Sequence, residues 1–132
     1  MAAISLLLTA LLFGGTVLFA FGFAAFVFNA LPADTAGPLI RRAFPHFYVF
    51  VMSSAFLAAV FCFEISATLA GWLLLAIAAS TLYARQILMP SINAATDAGE
   101  TKKFHILHSI SVGITLLHIA VAGYVLIALC RH

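Results

Sequence analysis

Charge is what this sequence has least of. Six of its 132 residues are Lys or Arg and four are Asp or Glu, whereas a water-soluble domain carries about a quarter charged residues. The 65% hydrophobic content excludes intrinsic disorder as well, since disordered chains are poor in apolar side chains. A net charge of +2 is too small and too dispersed for a nucleic-acid-binding surface. Internal repeats, a nucleotide-binding Gly-rich loop, a CxxC pair and a Gly-x-Ser-x-Gly elbow are all missing. The Met-Ala-Ala-Ile-Ser start has no Lys or Arg and the apolar run behind it is too long for a cleaved signal peptide, so that run is expected to stay as a span. The polar alternation of a membrane β-barrel is also absent. What remains is an all-α integral membrane bundle in a lipid bilayer.

A charge near the bilayer centre costs a few kcal/mol or more, so the spacing between charges counts the crossings. Nothing before Asp34 is charged, Arg42 to Glu64 and Glu64 to Arg85 bracket two more uncharged runs, and Lys103 to Arg131 brackets a fourth. Each run reaches the roughly 20 residues of a helical span. The expected spans are Ile4 to Leu31, Phe44 to Phe63, Leu69 to Leu88 and Phe104 to Leu129, in one membrane domain covering residues 1–132. Arg41, Arg42, Arg85, Lys102 and Lys103 fall at one end and Arg131 at the other. The positive-inside rule then puts the first and third loops in the cytoplasm and both termini outside. Compact loops and the lack of a transit peptide favour a bacterial inner (plasma) membrane.

Turn residues set the expected boundaries. Pro32, Gly37 and Pro38 punctuate the first loop, Pro45 falls in the first turn of the second helix, and Pro90 ends the third. Ser91 to Thr101 is read as a short surface helix. On a wheel at 100° per residue, the fourth helix has a small-residue face of Ser109, Gly113, Ala120 and Gly123, read as a close packing face. A polar seam of His108, Ser111, Thr115, His118 and Ala122 is read as facing the bundle interior, and a bulky face with Ile106, Ile110, Ile114, Leu117 and Val121 as facing lipid. Gly15, Gly22 and Asn29 form a matching seam on the first helix, and Ser54, Ala55, Ala58 and Ala59 give the second its small-residue spacings. The thirteen Phe residues are read as core and lipid contact.

Five His and two Cys residues carry what chemistry there is. His46, His105 and His108, with Arg85 and Asp97, lie near the cytoplasmic interface, where three imidazoles and a carboxylate can bind a first-row metal or hydrogen-bond among themselves and to headgroups. His118 falls well inside the bilayer, and intramembrane ionisable groups are functional candidates. It could ligate haem b iron or share a proton with a Ser or Thr of the seam. Cys62, Glu64, Cys130 and His132 share the outer level, open to copper or zinc, to a disulfide or to no ligand at all. No cofactor is required by these residues.

The segments Leu31-Pro32 through Gly37-Pro38, Phe44-Pro45-His46-Phe47-Tyr48, and Pro90-Ser91-Ile92-Asn93 through Asp97 and Phe104 to His108 resemble the transmembrane-protein-205-like family. These are small four-helix membrane proteins catalogued as a domain of unknown function. The resemblance implies a four-span fold, with Pro45, Tyr48, Asn93, Asp97 and His108 as family-characteristic positions on the cytoplasmic face. Met-rich or first-helix His patterns of copper- and haem-handling four-helix proteins are missing. The expected function is therefore a non-catalytic accessory or scaffold subunit, packing as a homo-oligomer or within a larger membrane complex. The alternative is a haem- or copper-binding protein with a redox or metal-handling role.

Overall fold

The computed structural model describes residues 1–131, folded into α1 (Ala2–Ala30), α2 (Ala33–Glu64), α3 (Thr68–Asp97) and α4 (Thr101–Leu129). The shortest has 29 residues, more than the about 20 that cross a hydrocarbon core, and each is apolar enough to do so. Among the described residues there is no strand. The chain is an all-α, multi-pass membrane bundle in which α1 packs on α2, α2 on α3, α3 on α4, and α4 back on α1.

Local chemistry sets the turns. Leu31 precedes Pro32, and a residue before proline is driven to extended backbone; its φ of −121° and ψ of 151° end α1. Pro32 then opens α2, its carbonyl accepting from the Thr35 and Ala36 N–H groups at 2.9 and 2.8 Å. α2 and α3 close with the same paired reverse bonds: Ala67 to Cys62 and Ser66 to Phe63 in one, Glu100 to Ala95 and Gly99 to Thr96 in the other. That closure needs one left-handed residue, here Ser66 at φ 60° and Gly99 at φ +70°.

The helices outrun the expected spans. Pro38 and Pro45 lie inside α2, so the first loop shrinks to Leu31-Pro32 and helix starts at residue 33 rather than 44. Pro90 does not end α3, which runs on to Asp97 and absorbs most of the expected surface helix. An internal proline strands the carbonyl four residues back. Here those belong to Asp34, Arg41 and Gln86, all exposed, where water and headgroups can solvate them. The compensation is packing: Ala36 and Ile40 are buried in one cluster, Phe47, Val51, Ala55, Ala58 and Cys62 in another, and half-buried Phe44 packs against both, at the spacing of one helix face.

Two stretches, Leu18–Phe23 in α1 and Ala84–Leu88 in α3, widen into π-helical turns. Leu12, Val51, Leu74 and Val125, one from each helix, are the largest apolar side chains buried completely. α1 approaches α2 closely at Gly15, where an added Cβ would sit 2.5 Å from the Phe50 ring, and Gly71 meets Phe63 in the same way at 2.7 Å. α4 is the least covered: 11% of its most apolar stretch is buried, against 44% for α2.

Candidate functional site

Polar residues inside an apolar bundle mark the place to look, and they meet halfway along the helices. α1 turns Ser5, Thr9 and Thr16 inward, all buried. Thr9 and Thr16 donate to the carbonyls of Ser5 and Leu12, both at 2.7 Å, and Thr81 donates likewise to Ile77 at 2.7 Å. These back-bonds satisfy the hydroxyl protons within each helix and leave the oxygens facing inward. α4 contributes Ser111, Thr115 and buried His118, and α2 contributes buried Tyr48.

Together Thr16, Tyr48, Thr81, Ser111, Thr115 and His118 line a cavity of about 10 Å³ closed by Phe47, Val51, Ala84 and Ile114. Both π-helical stretches abut it, one beginning two residues after Thr16 and the other at Ala84; such distortions recur at functional sites. Phe47 is stacked on Phe19, ring centres 4.0 Å apart, and Phe44 packs edge-on against both, so aromatic rings seal one side.

The shortest contact across helices here joins Ser80 Oγ and His118 Nε2 at 2.7 Å. Neither Ser80, Thr81 nor Thr16 stands among the sequence-derived candidates, yet chain length carried the signal. Ser80 and His118 are both nineteen residues from Gly99 at the α3–α4 turn, and Thr16 and Tyr48 are both sixteen from Pro32 at the α1–α2 turn. Equal distances from an antiparallel turn mean equal depth.

The remaining candidates are dispersed. His105 and His108 are exposed, each close to the Phe104 ring, and His46 is exposed on α2. His105 is exposed whereas His118 is buried, thirteen residues further along α4. Asp97 meets Arg41 instead of an imidazole, in a two-pronged ion pair of 2.8 and 2.9 Å. Both groups lie beyond the apolar run, and the guanidinium holds the Asp97 carboxyl below its ordinary value through those hydrogen bonds. Pro45 and Asn93 are half-buried. Arg85 is not at a helix end, because α3 continues twelve residues past it, and its Nε is buried without a partner among the described residues.

At the other end Cys62 is buried beside Ser5, while Cys130 and Glu64 are exposed, and both thiols are free. His132 lies outside the described residues. No three His, Cys, Asp or Glu side chains converge to hold a metal among the described residues. A haem does not fit beside His118 either: the space is water-sized and Nε2 is engaged by Ser80.

The expected packing faces also move. Ser109, Gly113 and Ala120 are exposed on α4, on the side away from His118, and only Gly123 meets a neighbouring helix, through Phe13. On α1, Gly15 packs as expected, but Gly22 is exposed and near only Leu18 of its own helix, and Asn29 is exposed with its amide on the Ala25 carbonyl. The buried stripe of α1 is Ser5, Thr9, Leu12 and Thr16.

This architecture has a family. Residues 7–101 match the model of a domain of unknown function, DUF4149. The chain belongs to the DUF4149 family. The match covers nearly all of α1 and the whole of α2 and α3, including Thr16, Tyr48, Ser80 and Thr81, and stops where α4 begins. The finding is DUF4149 membership and gives no specific support to the transmembrane-protein-205-like assignment. No curated protein and no solved structure shows significant similarity to this DUF4149 protein.

Proposed function

We propose that this DUF4149 protein is a non-catalytic accessory or scaffold subunit, one membrane domain that packs with its own copies or with a larger membrane complex. The observation that carries this reading is the outer face of α4. Ser109, Gly113 and Ala120 are exposed there, and a Cβ at Gly113 would meet nothing within 4 Å. Lipid tails are as apolar as leucine, so membrane helices associate where small residues let backbones approach. The least covered helix of the bundle thus keeps a small-residue face free. The central cavity, about 10 Å³, is too small to hold a substrate. The alternative, haem- or copper-handling, would need ligands that the described residues do not bring together.

In this reading the protein sits in a bacterial inner membrane with both termini outside, supported by the basic residues gathered at the Arg41–Asp97 end. The finer resemblance to the transmembrane-protein-205-like family rests on Phe44 to Tyr48 and Asn93 to Asp97, inside the matched region, whereas His108 lies beyond it. Cross-linking in native membranes tests the proposal, with Cys130 replaced by Ser to remove the exposed native thiol. Gly113→Cys should form an adduct with a second copy or a larger partner. Val49→Cys, exposed on α2 diagonally across the bundle, should not. No adduct at position 113, or equal adducts at both, refutes the reading.

A further inference from the structure

Proton bookkeeping around His118 leaves a specific gap. Ser80 Oγ has one proton and three neighbours: the Ala76 carbonyl at 2.7 Å, the Ile77 carbonyl at 3.1 Å and His118 Nε2 at 2.7 Å. Carbonyls only accept, so the carbonyl and imidazole contacts are both hydrogen bonds only when Ser80 donates to a carbonyl, as Thr16 and Thr81 do, and accepts from Nε2. That arrangement puts the imidazole proton on Nε2. A neutral imidazole carries one proton, which makes Nδ1 a bare acceptor, and no protein donor reaches it among the described residues.

His118 is part of the cavity wall, and that lining is unevenly equipped. Thr16, Thr81 and Thr115 have committed their protons to the carbonyls of Leu12, Ile77 and Ser111, so their oxygens can only accept. Tyr48 and Ser111 also line the cavity, and neither hydroxyl is committed to a carbonyl among the described residues, so that side keeps a proton to give. The site is therefore rich in acceptors, holds at least one donor, and has no carboxylate in its wall. Its volume of about 10 Å³ is at the about 10–15 Å³ lower limit for one water.

We propose that this cavity is a binding site for a single water molecule, which donates to His118 Nδ1 and a threonine oxygen and accepts from the Tyr48 or Ser111 hydroxyl. A water there links all four helices at mid-depth: Thr16 on α1, Tyr48 on α2, Thr81 on α3, and Ser111 and His118 on α4. The neutral wall does not favour a dehydrated cation, and an apolar solute would leave the acceptors unpaired. The ligand class is a neutral molecule of water's size with both donor and acceptor capacity.

Nitrogen-15 histidine solid-state NMR of the full chain in lipid bilayers tests this. The expected result is a neutral His118 protonated at Nε2, with Nδ1 bare, and magnetisation transferred to its ring from water as it is to the exposed His105 and His108. In Ser111→Val, whose side chain fills the cavity, the His118 water signal should vanish while those of His105 and His108 persist. A wild-type His118 protonated at Nδ1, or silent to water while His105 and His108 respond, overturns the proposal without recourse to any variant. So does a folded Ser111→Val protein that keeps the signal.

Discussion

Gly14 and Gly15 are adjacent in sequence, alike in chemistry, and opposite in what surrounds them. A Cβ added at Gly14 meets nothing within 4 Å, whereas one added at Gly15 lies 2.5 Å from Phe50 Cζ and 2.6 Å from Cε1. Gly14→Ala therefore removes only the conformational cost of glycine inside a helix and should stabilise by about 0.5–1 kcal/mol. Gly15→Ala gains the same amount but forces the ring aside. Overpacking costs about 1–3 kcal/mol, and the clash falls on the far end of a side chain that can turn, so a net loss of about 1 kcal/mol is expected. Because the glycine gain cancels, the difference between the variants is the overpacking cost itself, about 1–3 kcal/mol. Reversible unfolding in mixed micelles, titrated with a denaturing detergent, measures both. Trimming the ring with Phe50→Leu should reverse the sign at Gly15. Equal shifts for the two alanines would refute the α1–α2 approach that brings Thr16 to the cavity.

Other perturbations follow from the same contacts. Ser80→Ala leaves His118 Nε2 without its partner and should destabilise by about 1–3 kcal/mol; Ser53→Ala, whose exposed hydroxyl bonds only to its own helix, should be close to neutral in the same unfolding assay. Gly99→Ala puts a Cβ at φ +70° and should cost about 1–2 kcal/mol, while Ser66→Gly at φ 60° should raise stability. The Arg41–Asp97 pair lowers the Asp97 carboxyl, so its contribution is present above the ordinary carboxylate value and is lost as pH falls through the lowered one. Asp97→Asn should remove that acid step and the accompanying salt sensitivity.

Four crossings were legible because the ten charges punctuate the chain at bilayer spacing. Helix ends were not, since proline reads as a stop only where its stranded carbonyl has no other partner. At Pro38, Pro45 and Pro90 that carbonyl sits on an exposed residue. The wheel turned the polar seam of α4 inward, as found, but also read the small-residue face as packed and Ile114 and Val121 as lipid-facing. Instead Ile114 closes the cavity and both pack on the core; lipid repels neither bulky nor small apolar side chains. Ser111, Thr115 and His118 face inward, whereas Ser109, Gly113 and Ala120 face out. His108 belongs to the polar seam by angle, yet it stacks on Phe104 in the exposed part of α4, since depth as well as angle decides burial. The cavity itself needed partners from all four helices, which only the turns bring level.

Assembly state in the native membrane separates a packing subunit from a lone protomer. Extracted from its own membrane in a mild detergent, the wild-type chain should run well above the 14.0 kDa protomer, and Gly113→Leu, placed where a side chain meets no intrachain neighbour, should collapse it to the protomer. A wild-type protein that runs alone, or a Gly113→Leu variant that keeps the full assembly, rules out assembly through the outer face of α4.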